Sequence, residues 1–213
     1  MLNLIKAVPL ECVRCDLASY CQGAKRKLEL NKNELLCHAN LEAASFFMVR
    51  SGVFKVTRVN AEGEECIDHF YLPGEFIGFE ALENKKYPQA IVAVKRASVC
   101  EIQASTLLNF LSTSPKFQLP FLKLISKRLN ASRNFAGLSA EERMRYFLLD
   151  LLARTEPKES STLTLPMSRE LIGHHLGLAM ETVSRLLSRF QQRGWIRVKR
   201  QSIEIINLGK ELS

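Results

Sequence analysis

From about Lys27 to Ile102 the apolar residues come in short runs broken by turn residues. Ser45-Phe46-Phe47-Met48-Val49 is closed by Ser51-Gly52. Val53-Phe54-Lys55-Val56-Thr57 then alternates apolar with polar positions up to a turn at Ala61-Glu62-Gly63-Glu64. Cys66 to Leu72 reads as a further strand ended by Pro73-Gly74, and Ala90 to Val94 and Ala97 to Ile102 complete the set. Alternation puts successive side chains on opposite faces of a sheet. Many short runs at regular spacing therefore predict a small barrel or sandwich.

After Ser105 the period lengthens. Between Pro115 and Ala136, Phe117, Phe121 and Leu124 recur at helical spacing, with Leu122, Ile125 and Leu129 beside them. Pro120 falls inside this stretch, and because proline fits only the first helical turn it is expected to fix where the regular helix begins. Two apolar stripes on one helix call for two partners. One is the β domain; the other is either the rest of the same chain or the same helix of a second copy. A second helix is expected from Ser139, with Glu141 and Glu142 in a first turn that favours negative charge, running on through Tyr146-Phe147-Leu148-Leu149 to Leu152. Thr155 to Thr162, with Pro157 and Ser160-Ser161, reads as a polar linker.

The last third of the chain has a different grammar. Ser168 suits the N-cap of a short helix, Arg169 to Leu176, whose Leu171, Ile172 and Leu176 face inward. Gly177-Leu178 makes a tight turn, and a second helix runs from Ala179 or Met180 to Arg193, where Gly194 supplies a left-handed cap. Trp195 to Lys199, Arg200-Gln201-Ser202 and Ile203-Glu204-Ile205 read as a hairpin with a basic tip. Helix, turn, helix and hairpin in this order make a winged helix-turn-helix. On the second helix Val183, Leu186, Leu187 and Phe190 are spaced to face the core, while Glu181, Ser184, Arg185, Ser188 and Arg189 fall on the other side. Glu181 and Arg185 can both enter a major groove, where an Arg forks onto guanine O6 and N7 and a Glu accepts from cytosine N4. At a spacing of four they can equally form an exposed ion pair worth ~0.3–0.5 kcal/mol.

Charge sharpens this reading. The 213 residues carry 30 Lys and Arg against 22 Asp and Glu, a net charge of +8. Between Ser160 and Ile203 stand Arg169, Arg185, Arg189, Arg193, Arg197, Lys199 and Arg200 against only Glu170 and Glu181. Most of the excess thus lies on the DNA-reading unit, with Arg189, Arg197, Lys199 and Arg200 as candidate phosphate contacts. A composition of 46% apolar and 24% charged residues excludes a largely disordered chain. No apolar run approaches the ~18 residues of a membrane span, and the start carries no secretion signal, so a cytoplasmic location is expected. Of six cysteines, Cys12, Cys15 and Cys21 crowd the N-terminus, whereas Cys37, Cys66 and Cys100 are scattered. Such spacing points to ligands or redox thiols rather than disulfides. By itself C-x2-C-x5-C can hold zinc, hold an iron–sulfur cluster or hold nothing.

Along essentially its whole length the chain resembles the CRP/FNR superfamily of bacterial transcription regulators. Gly177-Leu178-Ala179-Met180-Glu181-Thr182-Val183-Ser184-Arg185-Leu186-Leu187 is similar to the recognition helix of the FNR branch. The resemblance implies an α+β fold: a β-roll of the cyclic-nucleotide-binding jelly-roll kind, a long dimerisation helix and the winged helix-turn-helix. It divides the chain at 1–26, 27–114, 115–138 and 139–213. It implies that Glu181, Ser184 and Arg185 read a TTGAT half-site, and that Leu122, Ile125 and Leu129 pair with a second copy. Cys12, Cys15 and Cys21, with Cys100 in Val99-Cys100-Glu101-Ile102, resemble the four ligands of an oxygen-responsive [4Fe-4S] cluster. Cys37 and Cys66 match no ligand position and are read as small buried apolar residues. Glu80 to Lys86 corresponds to a loop that meets RNA polymerase, so activation or repression is expected and catalysis is not.

Cyclic-nucleotide binders of the superfamily follow their Gly-Glu turn with an Arg-Ser or Arg-Thr pair. After Gly74-Glu75 this chain has Lys85-Lys86-Tyr87-Pro88-Gln89-Ala90 instead, so cAMP is not expected. Compared with the best-known FNR proteins, the segment from Cys100 to Ala140 is about four residues shorter, roughly one helical turn, and the arm before Cys12 is short. Two other readings compete: a regulator on the same scaffold using thiol, zinc or another signal, and a small iron–sulfur electron carrier.

Overall fold

The computed structural model describes residues 26–59, 63, 65–131, 137–155, 160–200 and 202–208, with the side chains of 117 and 127–131 outside that description. Cys12, Cys15 and Cys21 lie outside it as well. The chain divides into two compact units, Met1–Arg58 with Phe70–Asn130, and Val59–His69 with Ala131–Ser213.

The strands before Ala104 are short, as the short apolar runs there predict. They are β1 (Arg26–Leu30), β2 (Leu35–Cys37), β3 (Ser45–Ser51), β4 (Phe54–Val59), β5 (Glu65–Tyr71), β6 (Phe76–Ile77), β7 (Ala90–Ala93) and β8 (Ala97–Gln103), with a short helix, α1 (Ala81–Asn84), between β6 and β7. All lie in the first unit except Val59 of β4 and Glu65–His69 of β5, which belong to the second. Two four-stranded sheets result, ordered β1-β8-β3-β6 and β2-β7-β4-β5. Alternation along β3 puts Phe47 and Val49 into one apolar cluster with Phe54, Val56, Tyr71, Ile77 and Val99. Phe46 and Met48 point the other way, into a second cluster with Phe76, Cys100, Ile102, Leu107, Phe121 and Leu124. That second cluster is where the helices α2 (Ala104–Thr113) and α3 (Pro115–Ala131) close over the sheet. The ring of Phe121 meets that of Phe76 edge-on at 5.9 Å, a favoured aromatic geometry.

Two expectations are corrected here. Pro120 does not start the helix: α3 already runs from Pro115 and passes through Pro120. The proline removes one ladder donor, the one that would serve the Lys116 carbonyl, and the packing of Phe121 and Leu124 compensates. Cys66 is only half-buried, as the second residue of β5 next to the exposed Glu65. Cys37 is buried as expected, at 3% exposure. Burial pushes its thiol up to about 12, against a smaller opposing pull from the Tyr87 hydroxyl, which itself donates to the Ser45 carbonyl.

The second unit contains α4 (Ala140–Thr155), β9 (Thr162–Thr164), α5 (Arg169–Leu176), α6 (Met180–Gln192), β10 (Ile196–Lys199) and β11 (Ser202–Ile205). Its three strands run in the order β10-β11-β9, so the stretch read as linker ends in an edge strand of the wing. Ser139 begins α4 with a capping box. Its amide donates to Glu142 Oε2 at 2.8 Å, and the Glu142 amide returns to Ser139 Oγ at 3.3 Å. Met144, Leu148 and Leu151 of α4, Ile172 and Leu176 of α5, and Val183, Leu187 and Phe190 of α6 are all buried. Arg145 is buried too, at 6% exposure. Its guanidinium donates twice to the Leu208 carbonyl, at 3.2 and 2.9 Å, and lies 4.9 Å over the Trp195 ring.

Candidate nucleic-acid interface

The geometry of the helix pair is fixed at its ends. Ser168 Oγ accepts from the Leu171 amide at 3.3 Å and starts α5. Gly177, at φ +65°, ends it in the left-handed conformation that glycine adopts without a Cβ penalty. One turn earlier Gly173 admits no side chain, since a Cβ there would stand 2.5 Å from the Leu178 carbonyl oxygen. The Leu178 amide donates to the Gly173 carbonyl at 2.9 Å, and α6 leaves the turn at Met180.

On α6 the two faces separate as the periodicity requires. Val183, Leu186, Leu187 and Phe190 are buried; Glu181, Arg185, Ser188 and Arg189 are exposed and Ser184 is half-buried. Among the described residues Glu181 and Arg185 form no ion pair with each other and have no hydrogen-bond partner, so the exposed-pair alternative is not realised. A carboxylate and a guanidinium fork are thus presented outward one helical turn apart. Arg189 and Arg193 are held differently: Glu141 of α4 accepts from Arg193 Nη1 at 2.6 Å and from Arg189 Nη1 at 3.4 Å. Arg193 also lies 4.7 Å over the Trp195 ring, and beyond it Gly194 turns at φ +70° so that the Trp195 amide reaches the Phe190 carbonyl at 2.9 Å.

The wing follows directly. Arg197 faces Glu204 across the β10–β11 ladder and donates to its carboxylate at 2.9 Å, with Lys199 Nζ 4.0 Å from the same oxygen. Arg200 occupies the tip at φ +55° and is exposed. Gln191 of α6 accepts the Val198 amide at 2.9 Å and ties the hairpin to the helix before it. Sequence reading missed three of these residues, Glu141, Gln191 and Arg169. Arg169 Nη1 donates to Ser184 Oγ at 3.3 Å, across 15 positions of chain. No local spacing announces such a bond; only the packing angle of two helices creates it.

Of the four cysteines that resemble cluster ligands, Cys100 lies among the described residues, in the middle of β8 and buried. Among those residues no group of three or more His, Cys, Asp or Glu could hold a metal. The sheet register bears on the other three. Cys100 pairs with Lys27 of β1 and with Met48 of β3. In sequence Cys21 precedes Lys27 by six positions, which a fully extended chain spans in about 20 Å. Thiolate sulfur is the ligand type such clusters use, so the donor set fits.

On α3, Leu122 is 59% exposed and Ile125 packs partly against the second cluster, whereas the side chain of Leu129 is outside the described residues. In the segment from Glu80 to Lys86, the Glu80 carboxylate is held by the buried Tyr71 hydroxyl at 3.0 and 3.1 Å and Ala81 is buried. Glu83, Asn84, Lys85 and Lys86 are exposed. No helix among the described residues is long and apolar enough to cross a membrane.

Comparison with known proteins agrees with this geometry. Residues 27–114 match the cyclic nucleotide-binding domain family, and residues 142–210 match the Crp-like helix-turn-helix domain family. The transcriptional activator protein anr of Pseudomonas aeruginosa is 34% identical over 206 residues, covering 94% of this chain and 84% of that protein. The fumarate and nitrate reduction regulatory protein of Vibrio cholerae is 32% identical over 206 residues, covering 94% of this chain and 82% of its own length. Among solved structures, FixK2 from Bradyrhizobium japonicum superimposes with a TM-score of 0.74 at 25% identity, over 87% of this chain and 94% of that one.

Proposed function

The chain belongs to the CRP/FNR family of DNA-binding transcription regulators, and on that premise we propose that it is an oxygen-responsive regulator of the FNR kind. It reads an inverted repeat of TTGAT-like half-sites as a dimer. The observation that carries this reading is the outer face of α6, where Glu181 and Arg185 stand exposed without protein partners beside Ser184. Held as they are, exposed and unpaired, all their donors and acceptors are available to the major groove. Arg189, Arg197, Lys199 and Arg200 supply phosphate contacts, which fix register without carrying sequence. Leu122, Ile125 and Leu129 form the pairing stripe of α3. Two recognition helices related by a two-fold axis then meet half-sites one DNA turn apart.

Cys12, Cys15, Cys21 and Cys100 are the residues to hold a [4Fe-4S] cluster, which would supply the oxygen-labile chemistry. What the chain contributes is a thiol fixed in β8, directly against the apolar cluster that seats α3. A ligand that ties the N-terminal arm to Cys100 therefore acts on the sheet face carrying the pairing helix. It shifts the monomer–dimer equilibrium by its difference in affinity for the two states and by no more. The exposed part of the 80–86 segment, from Glu83 onward, is the polymerase-facing surface in this reading.

The test is fluorescence anisotropy of anaerobically purified protein on a TTGAT inverted repeat and on a scrambled duplex. Preference for the repeat is expected, and Arg185→Ala should erase it while leaving iron content unchanged. Equal binding of both duplexes by the unmodified protein removes the reading.

A further inference from the structure

Among the described residues of the helix-turn-helix, Arg169 is the cation whose guanidinium touches a base-reading candidate, and the chemistry of that contact bears on sequence choice. Arginine has donors only, so in the 3.3 Å contact Ser184 Oγ is the acceptor. The hydroxyl keeps its proton, and among the described residues that proton has no acceptor. The neighbouring Ser188 differs: its hydroxyl donates to the Ser184 carbonyl at 3.1 Å, the usual back-bond of a helical serine, and so is already committed. Ser184 itself makes no such back-bond among the described residues. Arg169 is exposed and sits in the first turn of α5, whose angle to α6 is fixed by the Gly173 and Gly177 turn.

We propose that Arg169 is a specificity-determining positioning residue. By donating to Ser184 Oγ it fills one of the two acceptor sites of that hydroxyl and biases its proton outward, so a base edge that presents an acceptor is favoured. In the major groove the acceptors are purine N7, guanine O6 and thymine O4, whereas cytosine N4 and adenine N6 are donors. Without Arg169 the hydroxyl rotates freely and offers donor or acceptor with less preference between the two kinds of edge. This inference rests on the reading of Ser184 as a base-contacting residue.

The experiment separates the two. Anaerobically purified full-length protein is titrated against a half-site series in which each base pair is replaced in turn, using the unmodified chain, Ser184→Ala, Arg169→Met, Arg169→Lys and the Arg169→Met/Ser184→Ala double variant. Ser184→Ala identifies the base pair whose discrimination depends on the hydroxyl. Arg169→Met is expected to lower discrimination at that same pair, about three- to tenfold, leaving the pairs read by Glu181 and Arg185 untouched. The double variant should lose no more than either single one, and Arg169→Lys, which keeps a donor, should recover part of the discrimination. If Arg169→Met weakens all sequences equally and flattens the salt dependence, Arg169 is a phosphate contact and the proposal fails while the reading of Ser184 stands. If Ser184→Ala alters discrimination nowhere, the reading of Ser184 fails and the proposal goes with it.

Discussion

Cys37 and Cys66 show how far a single side chain's behaviour depends on where its strand ends. Cys37 is enclosed beside Tyr87, and burial holds its thiol up at about 12, so at pH 8 almost none of it is thiolate. Cys66 is half-buried. Brief alkylation of the native protein at pH 8 should therefore label Cys66 and spare Cys37, with peptide mapping as the readout; labelling of Cys37 at the rate of a free thiol would contradict its enclosure. Gly173 makes the complementary point about space. A methyl group added there meets the Leu178 carbonyl at 2.5 Å, and backbone cannot swing aside as a long side chain can. Gly173→Ala is expected to destabilise the second unit by ~1–3 kcal/mol, the usual range for overpacking, seen as a lowered urea midpoint. A midpoint equal to that of the unmodified protein would mean that the α5–α6 turn is looser than its geometry implies.

At the scale of elements, the parts legible in the sequence were those whose ends carry their own chemistry. Ser139, Ser168, Gly177 and Gly194 each do locally what their residue type does best, and the helices they bound were readable for that reason. The burial of Val183, Leu186, Leu187 and Phe190 follows from spacing alone. The elements that escaped have no such markers. β6 has two residues and exists only by pairing with Met48 and Phe47, and β9 is three residues recruited by β11. α2 starts at Gln103 without any side-chain cap, and α3 absorbs Pro120 because Phe121 and Leu124 bury against the sheet. The interface was partly legible for the same reason: Glu181 and Arg185 declare themselves by spacing, whereas Arg169 on Ser184 and Glu141 on Arg193 depend on how separate helices cross. The cap of α4 gives a direct test, since Ser139→Ala removes one side of a reciprocal pair and should cost ~1 kcal/mol, again as a urea midpoint. α5 gives a pH-dependent one. His175 Nδ1–H donates to the Ile67 carbonyl at 3.1 Å beside the Phe147 ring, with Asp68, Asp150 and Arg154 nearby. Burial lowers its pKa more than the hydrogen bond and the two carboxylates raise it, so the folded chain favours the neutral ring. Its contribution is present above the unfolded value of about 6.5 and is lost as pH falls through the lower folded value. The urea midpoint should drop on acidification through that window, and His175→Gln should flatten this component of the pH dependence.

For the whole molecule, the proposed function couples a thiol in β8 to the outward face of α6 through pairing of α3 with a second copy. Leu122 is the exposed member of the proposed pairing stripe, and Leu122→Glu places charge where a second copy would sit in that reading. Sedimentation should then show monomers, with operator affinity lower by on the order of 100-fold, because the two half-sites are no longer held together. Cys100→Ser should leave the fold and its far-ultraviolet spectrum intact while iron content falls, since a hydroxyl is a poor replacement for thiolate. The most direct test follows visible absorbance and operator affinity together on one anaerobic sample as air is admitted. A coloured protein is expected, whose absorbance and preference for the TTGAT inverted repeat decline in step. A colourless, iron-free protein that binds the repeat equally well before and after air would contradict it.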